Sequence, residues 1–192
     1  MPVVNKLKLG TEEYLEGEVF ADVRHEYIAG DVYAMAGATE RHNRISLNIA
    51  LSLRMPARGS QCGVFISDMK LRTGEDNSFD TCFYYPDVML SCNNDDDHPL
   101  YKTSPCLISE VLSPSTENVD RREKLLAYKN IPNLRYYILV SSMQELIEYY
   151  QKNEQGDWDK YILGKNDVLN IHCDDYHASL SFDDIYEDVR WD

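Results

Sequence analysis

Two apolar runs, each carrying one acid, constrain this chain more than any other feature. The first is Phe83-Tyr84-Tyr85-Pro86-Asp87-Val88-Met89-Leu90 and the second is Leu107-Ile108-Ser109-Glu110-Val111-Leu112. Both have the length and composition of buried strands. A carboxylate inside such a strand is costly to desolvate, so it needs a cationic partner or a metal ion. Two acids on neighbouring strands can share one divalent cation. A segment rich in basic residues follows, from Thr116 to Tyr128, and carries Lys124. Two acids and a lysine are the minimum equipment for metal-assisted hydrolysis of a phosphodiester.

The rest of the pattern frames these runs. Thr11-Glu12-Glu13-Tyr14-Leu15 reads as a short helix. Arg24 to Ile28 and Val32 to Met35 flank the turn Ala29-Gly30-Asp31, an N-terminal hairpin. From Glu40 to about Met55, apolar residues fall at helical spacing until Pro56. Strands are expected at Val64–Leu71, Phe83–Leu90, Ile108–Leu112 and Arg135–Val140, with a helix at about Thr116–Asn130. Glu145–Gln151 and Trp158–Leu163 read as a second, C-terminal hairpin. The strand–helix–strand unit from Ile108 to Val140 implies one right-handed parallel crossover, whereas the other strands look antiparallel. The expected class is therefore α/β (α+β), with a mixed central sheet flanked by helices. At 192 residues the chain suits one domain spanning 1–192.

Composition narrows the function classes. No apolar run is long enough to cross a bilayer, and Met1-Pro2-Val3-Val4-Asn5-Lys6 leads into no signal-peptide core. Five cysteines without a CxxC argue against a disulfide framework or zinc knuckle, and for reduced thiols in a cytoplasm. The net charge of −14 argues against a general nucleic-acid coat protein. Its distribution is uneven, with +5 over residues 41–72 and −9 over residues 143–192. Asp95-Asp96-Asp97-His98 lacks calcium-loop spacing and reads as a solvated loop. Ser113-Pro114-Ser115-Thr116 is no nucleophile elbow, and Ser115 or Thr116 suits a helix N-cap better.

Pro86-Asp87, a spacer, then Glu110 and a lysine resembles the PD-(D/E)XK nuclease superfamily. More closely, the chain resembles the Uma2 family of restriction-endonuclease-like proteins. The resemblance covers nearly all of the chain, through His25–Tyr33, Gly37–His42, Ser67–Lys70, Tyr85–Val88, Glu110–Thr116, Asp120, Lys124, Tyr128 and Tyr136–Val140. It implies a restriction-endonuclease-like core, with Mg²⁺ or Mn²⁺ held by Asp87, Glu110 and the Val111 carbonyl. It also implies Lys124 as the group that orients water and offsets phosphate charge, and DNA as substrate. The superfamily lysine stands two residues after the glutamate, which here is Leu112. In the resembled family it moves to the next helix, at Lys124.

Four positions keep two readings each. Asp68 is a further catalytic acid or an edge-strand ion-pair partner. Glu26 and His42 also fall on family positions, and an imidazole in the first turn of a helix, as at His42, more often caps or packs than catalyses. Lys124, four residues after Asp120, also fits an ordinary ion pair on a helix surface. Finally, Tyr149, Tyr150, Trp158 and Tyr161 would make an aromatic patch suited to a homodimer interface.

Overall fold

The computed structural model describes residues 8–75, 78 and 80–191. The expectation for Met1–Lys6 lies outside them. Helix α1 (Thr11–Val19) leads into strands β1 (His25–Ile28) and β2 (Asp31–Ala34). Ala29 and Gly30 join these strands with φ of 50° and 91°. Two consecutive positive φ values match a tight hairpin turn to the twist of its strands.

Helix α2 (Glu40–Arg54) is capped by Thr39, whose side chain accepts a hydrogen bond from the His42 amide. It buries Ile45, Ile49, Ala50 and Leu53, while Leu47 and Leu51 remain exposed. Strands β3 (Gly63–Ile66), β4 (Lys70–Thr73), β5 (Cys82–Tyr84), β6 (Val88–Ser91), β7 (Tyr101–Lys102) and β8 (Leu107–Leu112) follow. One five-stranded sheet has the order β2-β1-β5-β4-β7. A six-stranded sheet begins at its far edge with β11 (Trp158–Leu163) and β10 (Ile147–Lys152). It continues through β9 (Tyr136–Ser141), β8 and β6 to β3.

Two expected strands are thereby corrected. Val64–Leu71 splits into β3 and β4, which lie in different sheets, at a turn where Ser67 adopts φ 40°. Phe83–Leu90 splits into β5 and β6 around Tyr85-Pro86-Asp87, since proline cannot donate to a central ladder. The corners touch through the Ser67 amide, which donates to the Asp87 carbonyl at 3.2 Å. Asp68 consequently sits in a turn and Asp87 at the entrance to β6.

Strands β8 and β9 pair in parallel, as the crossover implied. The helix between them has three parts: α3 (Glu117–Val119), a π-helical stretch over Asp120–Lys124, and α4 (Leu125–Lys129). The six-stranded sheet divides the core. Ile45, Ile49, Leu53, Val88, Leu90, Val111, Ile138 and Val140 cluster on the α2 side. Leu71, Tyr84, Met89, Ile108, Tyr128, Tyr137 and Leu139 cluster on the other.

The expected C-terminal hairpin is β10–β11. A further hairpin, β12 (Val168–Cys173) with β13 (Tyr176–Ser181), precedes the short helix α5 (Phe182–Ile185). The expectation of five reduced thiols is corrected. Cys62 is disulfide-bonded to Cys92 and Cys106 to Cys173, leaving Cys82 as a buried free thiol. Cys62 and Cys92 flank the paired residues Gly63 and Ser91, so strand register brings them together. The cysteine count therefore no longer argues for a reducing compartment. Asp96 is also buried rather than solvated, and its carboxylate accepts from the Thr103 and Ser104 amides. Among the described residues, no helix is long and apolar enough to cross a membrane.

Candidate active site

Glu110 lies in the middle of β8 with all its neighbours buried, and is itself 2% exposed. Strand β6 pairs antiparallel with β8, Val88 opposite Ser109. Continuing that register by one residue sets Asp87 opposite Glu110, on the same side of the sheet. The two acids are interlocked through the backbone. The Asp87 amide donates to Glu110 Oε2 at 3.2 Å, and the Val111 amide donates to Asp87 Oδ2 at 2.7 Å.

The helix after β8 supplies the counter-charge. Lys124 Nζ lies 3.0 Å from Glu26 Oε1, 3.2 Å from Glu110 Oε1 and 3.3 Å from Asp120 Oδ1. The Tyr128 hydroxyl also donates to Glu110 Oε1, at 3.0 Å. Asp120, Lys124 and Tyr128 recur every four residues, and all three are buried. Tyr137 pins the start of this helix by donating to the Asp120 carbonyl at 2.9 Å. From the opposite side, His42 in the first turn of α2 places Nε2 3.2 Å from Asp87 Oδ2. Glu26 enters from β1 and is held by the Tyr85 amide.

The electrostatics follow from burial. Four carboxylates (Glu26, Asp87, Glu110 and Asp120) gather around one ammonium and one imidazole. Burial pushes the Glu110 carboxyl well above the usual range; Lys124 opposes the rise, and Asp120, Asp87 and Glu26 add to it. Asp120 rises for the same leading reason. For Lys124, burial favours the neutral amine, yet Glu110, Glu26 and Asp120 outweigh it and hold the group as an ammonium. For His42, burial lowers the pKa, and the hydrogen bond and charge of Asp87, with Asp120 and a hydrogen bond to the Val111 backbone, raise it overall.

The donor set suits a divalent cation. Asp87, Glu110 and the Val111 carbonyl are hard oxygen donors, and the acids exceed the local positive charge. Among the described residues, no three His, Cys, Asp or Glu side chains form a ready cage, so a backbone donor would have to contribute. A cleft of about 610 Å³ lined by Asn93, Ser104, Asn133 and Arg135 lies at the other ends of β6, β8 and β9, away from the acids.

The residues expected from sequence thus divide. Asp87, Glu110, Val111 and Lys124 are brought together, whereas Asp68 is not among them. Its side chain is 70% exposed and pairs with Arg24 at 2.6 Å. The turn at Ser67 puts it there, and the ion-pair reading of Asp68 describes its surroundings. Glu26, His42, Asp120 and Tyr128 join the cluster. A second network, in which Glu18 accepts from the His25 amide and the Tyr85 hydroxyl, had no signal in spacing. Lys70 is buried against the Tyr85 ring, so Lys124 is the lysine that meets the acids.

Comparisons with known proteins place the chain in a family and match its fold. Residues 11–175 match the Uma2 family, described as "putative restriction endonuclease". An uncharacterized protein of Synechocystis sp., slr1290, is 40% identical over 185 residues, covering 96% of this chain and 94% of its own. A second from the same organism, sll1609, is 35% identical over 162 residues, covering 82% and 89%. The crystal structure of a "putative nuclease belonging to DUF820" from Anabaena variabilis superposes with a TM-score of 0.70. It is 13% identical, and the match covers 93% of this chain and 97% of that one, so it speaks to the fold alone. Because the family model matches residues 11–175, most of the chain, the chain belongs to the Uma2 family.

Proposed function

We propose that this protein is a metal-dependent endonuclease that hydrolyses DNA phosphodiester bonds, with a site of the PD-(D/E)XK kind. The observation that carries the proposal is the meeting of Lys124, from the helix after β8, with Glu110 beside Asp87. Leu112 stands where the superfamily lysine would be. A lysine stem reaches the same point from another backbone position.

Asp87, Glu110 and the Val111 carbonyl would hold Mg²⁺ or Mn²⁺. When bound, the ion supplies Lewis acidity and lowers the pKa of a coordinated water. Glu110 is fixed from both sides, by the Asp87 amide and by Tyr128 with Lys124, so its carboxylate is preorganised. Lys124, kept protonated by three acids, positions the nucleophile and offsets charge on the phosphate; it does not accept the proton. The buried core behind the site, with Tyr84, Tyr128 and Tyr137, excludes water from that side.

We further propose a homodimer. In the β10–β11 hairpin Tyr149 stacks on Tyr161 at 5.1 Å, and Tyr161 and Ile162 are exposed on the edge strand. Sedimentation at micromolar concentration tests this, and a monomer alone would contradict it. A second reading is a nuclease-fold protein that binds a partner without cleaving. Its support is that Lys124 and Tyr128 occupy Glu110 Oε1 and that the net charge is −14. Nicking of supercoiled plasmid with Mg²⁺ or Mn²⁺ separates the two.

A further inference from the structure

We propose that His42 is itself a cation ligand, so that an imidazole nitrogen, the Asp87 carboxylate and the Val111 carbonyl together select a first-row transition ion such as Mn²⁺ over Mg²⁺. This rests on the metal-dependent reading above and goes beyond it by naming a nitrogen donor and the ion class.

The placement of His42 is deliberate in the fold. Thr39 caps α2 by accepting from the His42 amide, which fixes the first turn and its direction toward the β6 corner. The side chain is 17% exposed, as is that of Asp87. Nε2 lies 3.2 Å from Asp87 Oδ2, and the ring also hydrogen-bonds to the Val111 backbone. Two of the groups assigned to the cation are therefore the two partners of this imidazole. Bonds of about 2.1 Å to one octahedral ion put adjacent donor atoms about 3.0 Å apart. The observed separation of Nε2 from Oδ2 is close to that edge length, so a small displacement admits an ion between them. With Glu110 the set would hold three side chains and one carbonyl; among the described residues those side chains do not stand as a ready cage, so the ion would have to draw them together.

The chemistry then follows. Mg²⁺ is hard, keeps its waters and takes oxygen ligands. Imidazole suits the later first-row ions best, and Mn²⁺, at the weak end of that series, still accepts a nitrogen ligand more readily than Mg²⁺ does. A purely packing role would ask His42 only to hold α2 against the Asp87 corner, and that role predicts no bond to the metal.

Pulsed electron paramagnetic resonance on the full chain loaded with Mn²⁺ decides the matter. The expected result is ¹⁴N modulation from a directly bound imidazole, lost in His42→Ala and kept in His172→Ala. The second variant removes half of the exposed His172–His177 pair, whose Nδ1 atoms lie 2.7 Å apart. In calorimetry, His42→Ala should weaken Mn²⁺ binding by roughly tenfold or more and Mg²⁺ binding far less. His42→Asn, which keeps a donor for Asp87, carries the same comparison should the alanine variant fail to fold. Bound Mn²⁺ without ¹⁴N coupling, or coupling that persists without His42, overturns this inference alone. A protein that binds neither ion overturns it together with the metal-dependent reading.

Discussion

Lys124 Nζ and Glu110 Oε1 meet at 3.2 Å although they lie on separate elements, a helix and the strand before it. The contact orders the site. It leaves Glu110 Oε2 to the Asp87 amide and draws Glu26 and Asp120 to the same ammonium.

Removing that ammonium should be severe. Lys124→Met leaves Glu26, Glu110 and Asp120 buried without a cation. Breaking a buried pair in this way typically costs about 3–5 kcal/mol. The loss should shrink as pH falls, because the stranded carboxyls can then be protonated. Thermal melts of the variant from pH 7 down to pH 5 test this, and a loss independent of pH would contradict the assignment.

Asp87→Asn and Glu110→Gln should behave differently. Each should lower cleavage on the order of a hundredfold or more and weaken divalent binding. Each also removes one acid from a site with surplus negative charge, so the metal-free variants should melt no lower than the wild type. Strong destabilisation of both in chelator would show that the acids serve chiefly to pair with Lys124 and His42, and not to hold a metal.

Glu148 provides a pH test away from the site. Its carboxylate pairs with Arg121 and, at 2.5 Å, with Lys160. Burial raises its pKa, but hydrogen bonds to Lys160 and Arg121 lower it overall. A carboxyl with a depressed folded-state pKa stabilises above its unfolded value, and the contribution is lost as pH falls through the folded one. Glu148→Gln should therefore cost about 1–3 kcal/mol at pH 7, and the variant and wild type should converge below the ordinary glutamate range. Denaturant titrations at pH 7 and pH 3 check the sign.

Alkylation of the denatured, unreduced protein should modify one cysteine, Cys82, and all five after reduction. Reduction should also lower the melting temperature, since each disulfide typically contributes about 2–4 kcal/mol. Five reactive thiols before reduction would contradict the pairing.

Much of the candidate site was legible because its residues break their local pattern. An acid inside an apolar run stands out, and Asp120, Lys124 and Tyr128 recur at helical spacing. The corners at Ser67 and Tyr85–Pro86 left only weak signals: Ser67-Asp68 and Lys70 interrupt one run and Pro86 the other. Strand-like residues resume directly after each break, so Asp68 was assigned to a strand it does not join. The β12–β13 hairpin did leave a signal. Leu169, Ile171 and Cys173, then Tyr176, Ala178 and Leu180, alternate inward along both strands. Cysteine pairing depends on strand register between distant segments, which spacing alone does not reveal.

The most direct test of the central claim is cleavage of supercoiled plasmid by purified protein with Mg²⁺ or Mn²⁺, beside Asp87→Asn at equal concentration. Metal-dependent nicking that chelator abolishes and the variant lacks is the predicted result. No cleavage with either ion, or equal cleavage by the Asp87→Asn variant, would contradict the account.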